Sequence, residues 1–135
     1  MKSHLSVLVI SALLLSGCSS ESKASPFLKQ ICSDWNASDY ASSSINDREN
    51  LTANFSSQVT SAVALDATSA ADFQVAVNLM QNVVALENQQ AEFAAKGFVE
   101  NSEFWKNQSS QKSKQANDEI TKVVEKFTQV CKSYE

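Results

Sequence analysis

Histidine is almost absent from this sequence, and its single copy, His4, stands close to the start. Histidine is the usual general base, a member of the Ser-His-Asp triad and the commonest metal ligand. Two pairs of carboxylates could still act as catalytic acid and base: Asp118 with Glu119, and Glu87 with Glu92. The first two residues are adjacent and the second two are five apart, and neither spacing places side chains on the same face of a helix. We therefore predict no enzyme activity, no catalytic residue, no cofactor and no metal site, and solvated faces for the two pairs, Asp118-Glu119 and Glu87 with Glu92.

Glycine and proline are also scarce, with two glycines and one proline in 135 residues. So little glycine provides no loop that cradles a phosphate through closely approaching backbone. No stretch alternates apolar and polar residues with the two-residue period of a strand. These absences favour a chain that is helical throughout.

An excess of basic residues is missing as well. The chain has 11 Lys and Arg against 15 Asp and Glu, a formal net charge of −4. Proteins bind nucleic acids largely by neutralising phosphates with basic side chains. We therefore expect no nucleic-acid partner, and no attraction of the chain as a whole to anionic lipid.

The N-terminus carries the pattern of a secretory signal peptide. Lys2 supplies a positive charge, residues 5–15 are mostly apolar, and the small residues Ser16 and Gly17 precede Cys18. A charged start, a short apolar core and a small-residue cleavage site define such a leader. The apolar core is too short to span a bilayer, which needs about 20 apolar residues.

The segment Leu15-Ser16-Gly17-Cys18 resembles the lipobox of bacterial lipoproteins. The resemblance implies cleavage just before Cys18, a diacylglycerol on its thiol and an acyl chain such as palmitate on its new amino group. Several acyl chains hold a protein firmly on a membrane. Ser19 stands where Gram-negative lipoproteins retained in the inner membrane have Asp. The resemblance therefore implies attachment to the outer membrane, facing the periplasm.

The predicted signal peptide covers residues 1–17 and leaves one domain's length of chain. Residues 18–25 are small and polar, a composition that buries too little apolar area to become ordered. We predict a lipidated flexible tether over 18–25, followed by a helical domain over 26–135.

Capping signals predict four helix starts. A Ser followed three residues later by an acidic residue forms a capping-box-like pair, and Pro suits the first turn. Gly97 after Lys96 predicts the end of the third helix in a left-handed conformation. Apolar residues recur at helical spacing after each start, which predicts an up-and-down bundle of about four helices with a short first one. The starts are Ser25 with Pro26, Ser44 with Asp47, Ser69 with Asp72, and Asn101 or Ser102.

Three cysteines are present, and lipid on Cys18 leaves Cys32 and Cys131 as a pair. Both lie on apolar helix faces, and disulfides persist in the oxidising periplasm. We predict a Cys32–Cys131 disulfide that joins the first helix to the last. The alternatives are two free buried thiols, or a metal site, which two sulfurs without histidine would support poorly.

The function predicted from these features is a non-enzymatic protein-interaction module of the cell envelope. Small helical lipoproteins with one disulfide are similar in architecture to pilotins, which escort secretins to the outer membrane and hold a partner helix in an apolar groove. The alternatives are an immunity or surface-exclusion lipoprotein that neutralises an incoming effector, and a carrier of apolar small molecules.

Partner-binding candidates are the two tryptophans, Trp35 and Trp105, and two acidic residues, Glu100 and Glu103. Tryptophan is favoured at binding hot spots, with core filling as the alternative role. The acidic residues, together with 118–119, would form a face that matches a basic partner.

Overall fold

The computed structural model describes residues 22–135, and four helices account for most of them. The helices are α1 (Ser25–Ala37), α2 (Ile45–Leu65), α3 (Ala67–Val99) and α4 (Glu103–Cys131), and no strand occurs within these described residues. The prediction of an all-helical bundle with a short first helix is confirmed. The predicted signal peptide and Cys18 lie outside the described residues.

The first described residues are packed rather than extended. Ala24 is fully buried, and the Ser25 amide donates to the Ser22 carbonyl at 2.8 Å. Ala24 occupies the N-cap position of α1, one residue before the predicted cap, Ser25. The predicted tether is therefore wrong over residues 22–25, because a buried alanine and local hydrogen bonds offset the polar composition there. Residues 18–21 lie outside the described chain.

The start of α2 follows the predicted capping box. The Asp47 amide donates to Ser44 Oγ at 3.2 Å, and the Ser44 hydroxyl donates to Asp47 Oδ2 at 2.7 Å. Each partner thus satisfies the other at the first turn, where the backbone amides have no intrahelical acceptor. The prediction for α4 is also confirmed, with Ser102 at its N-cap position.

The start of α3 is different from the prediction. Asp66 caps the helix, with Oδ1 accepting from the Thr68 and Ser69 amides at 3.1 and 3.2 Å. The predicted cap, Ser69, instead donates its hydroxyl to Asp66 Oδ2 at 2.8 Å. Ser22 donates to the same oxygen at 2.5 Å, and this bond, followed by those from Ser69, lowers the pKa of Asp66 to about 2. Asp66 thereby joins the start of the described chain to the α2–α3 turn.

Gly97 does not end α3, which continues to Val99. The left-handed residue is Asn101, with φ of 47°. A Cβ on Gly97 would lie 2.9 Å from Lys106 Cγ and 3.1 Å from Lys106 N. Glycine is therefore needed here for the close approach of α3 to α4, and the prediction of a left-handed Gly97 is wrong.

Aromatic rings fill the core where all four helices meet. Trp35 stacks on Phe127 with ring centroids 4.1 Å apart, and Phe55 and Phe73 pack around this pair. Burying each such side chain stabilises the fold by about 1.5–3 kcal/mol. Trp35 is only 8% exposed, so its assignment as a partner-binding residue is wrong, and it fills the core instead.

The predicted disulfide is confirmed. Cys32 on α1 and Cys131 at the end of α4 are bonded, with Cα atoms 5.4 Å apart and 99 residues between them in sequence. Both residues are buried. The bond connects the shortest helix to the far end of the chain.

α3 and α4 are longer than the other two helices and continue beyond them as a pair. Arg48 in the first turn of α2 contacts Glu87, so the part of α3 after Glu87 extends past the start of α2. We call residues 88–115 the hairpin arm, in which only Gly97 is buried. From Glu87 to Val99 the arm rises about 18 Å at ~1.5 Å per residue. Among the described helices, none has the length and hydropathy needed to cross a membrane.

Candidate functional site

The candidate site is the end of the hairpin arm, residues 98–104, which we call the tip. The Ser102 amide donates to the Gly97 carbonyl at 3.2 Å and closes the turn between the helices. Asn101 adopts the left-handed conformation that asparagine tolerates better than most residues other than glycine. The turn is therefore short and locally specified, and it holds the side chains on either side of it close together.

Large apolar side chains are exposed at the tip. Phe98 is 86% exposed, Val99 81% and Phe104 61%. The other exposed large apolar residues of the described chain, of which Phe27 at 48% is the most open, lie away from the tip. Isolated exposed apolar residues are normal, whereas a contiguous group with a polar rim marks an interaction surface. The tip carries three such side chains within seven residues of chain, with two acidic residues between them, and we therefore take it as the candidate interaction surface.

Trp105 directly follows the tip and packs against side chains of both helices of the arm. Its ring lies 5.3 Å from the Phe93 ring and 5.0 Å from the Phe104 ring, and Lys96 Nζ lies 4.9 Å from its centroid. Its Nε1–H donates to Glu100 at 2.9 Å. Two predicted partner-binding residues, Trp105 and Glu100, are thus brought together, with the tryptophan half-buried and fixed in orientation.

Two exposed acidic residues, Glu100 and Glu103, lie in the tip between the apolar residues in sequence, and we call them the acidic rim. Glu103 pairs with Lys106 at 2.8 Å, and Lys106 also donates to Asn101 at 3.2 Å. Glu100 accepts from Trp105 but remains exposed. Exposed ion pairs of this kind add little stability, so the rim groups are available to a partner at low cost.

The predicted acidic face does not form one surface. Asp118 lies 15 residues after Glu103 on α4, which separates them by about 22 Å along the helix at ~1.5 Å per residue. Glu119 pairs with Lys122, whose pKa this contact raises. Glu100 and Glu103 therefore lie in the candidate site, whereas residues 118–119 lie outside it.

A groove of about 480 Å³ lies between α3 and α4 beside Asp118. Its lining is mostly amide and charged, with Ala85 and Leu86 as the apolar members. The groove is open to solvent rather than enclosed, and it therefore does not favour the carrier alternative. Within the described residues no three His, Cys, Asp or Glu side chains are grouped to hold a metal ion.

A buried ion pair, which the sequence pattern did not predict, lies where the arm leaves the bundle. Arg48 Nε and Nη2 donate to Glu87 Oε1 at 2.9 and 2.5 Å, and Arg48 Nη1 donates to the Ser43 carbonyl. Glu87 is 3% exposed, so its predicted place on a solvated face is wrong. Tyr40 lies beside the pair, and burial raises its pKa to about 12. These contacts join the loop before α2 to the middle of α3.

No family model matches this chain. The comparisons with curated proteins and with solved structures find no match either.

The exposure of Phe98, Val99 and Phe104 was not predicted from the sequence. The signal that could have found them is the polar run of α4 after Trp105, residues 106–115, which contains no large apolar side chain. Because this part of α4 has no large apolar side chains, it cannot pack with α3 to bury the aromatic residues at the end of the helix pair.

Proposed function

We propose that this protein is a lipid-anchored envelope protein that binds another envelope protein through its tip and catalyses no reaction. The observation that carries the proposal is the exposure of three large apolar side chains at the tip. The anchor on Cys18 follows from the lipobox resemblance. Ser19 favours the outer membrane, with the domain in the periplasm.

The tip lies at the opposite end of α3 from the start of the described chain. Ser22 contacts Asp66 just before α3, and Val99 ends the helix 33 residues later. At ~1.5 Å per residue this helix is about 50 Å long. A protein held by Cys18 thus has its apolar tip far from its anchored end, where another protein can reach it.

The chemistry of the tip supports a protein partner. Phe98 and Phe104 are aromatic anchors of the kind that dominate protein interfaces, and a narrow two-helix end fits an apolar groove. Glu100 and Glu103 beside them would be repelled by anionic lipid and would match basic groups at the rim of such a groove. The partner we propose has an apolar groove bordered by Lys or Arg.

Photocrosslinking in the cell envelope tests this proposal. A photoreactive phenylalanine analogue at position 104 should give a discrete adduct with one envelope protein. Phe98→Ser combined with Phe104→Ser should weaken binding to that protein by roughly 30-fold or more, since truncating even one hot spot costs about 2 kcal/mol or more. Circular dichroism should show an unchanged fold, because both side chains are exposed.

Val75 provides the matched control, since it lies on α3 outside the tip and is 47% exposed. The analogue at Val75 should give no such adduct, and Val75→Ser should bind normally. Equal crosslinking at positions 75 and 104, or crosslinking of position 104 to lipid alone, would contradict the proposal.

The acidic rim also favours the second candidate, an immunity or surface-exclusion lipoprotein. Glu100 and Glu103 at the tip would then meet a basic incoming effector. Deleting the gene and measuring survival against related competitor strains distinguishes this candidate from the binding of an envelope protein. Reduced survival that Glu100→Gln with Glu103→Gln reproduces supports neutralisation of an effector, and unchanged survival argues against it.

A further inference from the structure

A short stretch of chain separates Cys18 from the folded domain. Ser22 is the first described residue, and four residues span at most about 14 Å when fully extended. Ser22 is itself held, because its hydroxyl donates to Asp66 at 2.5 Å and its carbonyl accepts from Ser25 at 2.8 Å. Lipid on Cys18 would therefore bring this end of the bundle to the membrane surface.

We call this end the base: residues 22–29, the α2–α3 turn at 65–67 and the chain end after Cys131. Two large apolar side chains are half-exposed there, Phe27 at 48% and Leu65 at 44%. Phe27 borders a groove with Ser61 of α2, and Leu65 follows one helical turn later. The two side chains thus form an apolar edge at the end that the lipid would hold.

The charge of the base differs from that of the tip. Lys23 and Lys132 belong to the base, and both are exposed. The nearby acid Asp66 accepts hydrogen bonds from Ser22 and Ser69, and Asp72 pairs with Lys126 at 2.6 Å. Glu135 at the chain end is exposed. Lysines beside exposed apolar residues are typical of surfaces that lie at the headgroup level of a bilayer.

We infer that the base docks on the bilayer that carries the lipid of Cys18, with Phe27 and Leu65 at the acyl boundary and Lys23 and Lys132 among the headgroups. This inference rests on the lipid attachment proposed above. In this orientation α3 points away from the membrane and presents the tip to the periplasm. The base thus sets the distance and direction at which the tip meets its partner.

The test uses the full processed lipoprotein in nanodiscs of phosphatidylethanolamine and phosphatidylglycerol with brominated acyl chains. Single cysteines are introduced at exposed positions for a fluorescent label: Ala64→Cys next to Leu65 of the base, Ala85→Cys halfway along α3, and Ser110→Cys on the arm. Bromolipid should quench the label strongly at position 64 and leave positions 85 and 110 unquenched. Apolar groups of interfacial proteins reach ~5–10 Å into the bilayer, within range of the bromines.

A second variant isolates the apolar edge. Phe27→Glu with Leu65→Glu, in the Ala64→Cys protein, should keep the lipid anchor but reduce quenching to the level of position 85. Val75→Glu is the matched control, with similar exposure away from the base, and should leave quenching at position 64 unchanged.

Three results would overturn the inference. Equal quenching at positions 64, 85 and 110 would show that the domain has no preferred orientation. Quenching that survives the double glutamate variant would show that Phe27 and Leu65 do not hold the base. A label at position 64 that neither bromolipid nor aqueous iodide quenches would show that protein covers the base.

The proposed function fails in a different way. If intact mass shows no lipid on Cys18, the protein stays outside the nanodiscs and both proposals fall. If the lipid is present and position 64 is quenched while the tip gives no crosslink, the base inference stands and the proposed partner binding does not.

Discussion

At the residue scale, Arg48 and Glu87 are the charged residues that the described chain buries. Arg48 is held on both sides, by Glu87 and by the carbonyl of Ser43 in the loop before α2. An ion pair taken out of water gains little net stability, but breaking it leaves a buried charge without compensation. We therefore expect the pair to fix how the loop and α2 meet α3 more than to add stability of its own.

Glu87→Gln should lower the free energy of unfolding by about 3–5 kcal/mol, because Arg48 would remain buried without its counter-charge. Urea denaturation followed by far-UV circular dichroism measures the change. Glu92→Gln is the matched control on the same helix, since Glu92 forms an exposed pair with Lys96 and should cost less than ~0.5 kcal/mol. Losses of equal size in the two variants would contradict a special role for the buried pair.

The burial of Arg48 and Glu87 could have been predicted from the sequence, but their pairing could not. Arg48 is the only arginine in the chain and lies one and two helical turns before Thr52 and Phe55, on the buried face of α2. Glu87 follows Val83 by one turn on the buried face of α3. The pattern thus places each residue on an inner face. Their pairing depends on the register between α2 and α3, which local periodicity does not contain.

At the element scale, the close contact at Gly97 keeps the hairpin arm together. Gly97→Leu should force α4 away near Lys106, because a Cβ alone would lie 3.1 Å from the Lys106 amide nitrogen. Overpacking of this kind costs about 1–3 kcal/mol. Hydrogen exchange measured by mass spectrometry should rise over residues 90–113 and stay unchanged in α1.

Ala95→Leu is the control for this prediction, because Ala95 is exposed two residues earlier on the same helix. It should leave hydrogen exchange in the arm as it is in the unmodified protein. Equal exchange in the Gly97→Leu and Ala95→Leu proteins would show that the close approach is not required.

The elements themselves were largely predictable, and their relative lengths were not. Apolar spacing predicted all four helices, because each buries a periodic face. The predicted start of α3 at Ser69 is three residues late, because Asp66 caps the helix and aspartate is among the strongest N-caps. The arm was missed because its existence depends on where α2 begins against α3, at Arg48 and Glu87. That is a tertiary relation, and no single helix specifies it.

At the scale of the whole molecule, the long α3–α4 pair carries the candidate site, and α1 and α2 build the core at the other end. α1 has 13 residues, a length at which isolated helices are only marginally stable in water. It is held by the stacking of Trp35 on Phe127 and by the bond from Cys32 to Cys131. The ring stacking and the disulfide lie one turn apart on both α1 and α4, so both hold the same part of the α1–α4 interface.

Replacing both cysteines, Cys32→Ala with Cys131→Ala, should therefore loosen α1 before the rest of the bundle. For a loop of about 100 residues, the chain-entropy model gives a loss of ~4.7 kcal/mol in unfolding free energy. Hydrogen exchange should rise first over α1 and least over the middle of α3, and chemical reduction of the unmodified protein should give the same order. Unchanged stability in both experiments would show that the helix faces alone hold α1, and that the bond adds nothing to the architecture on which the position of the tip depends.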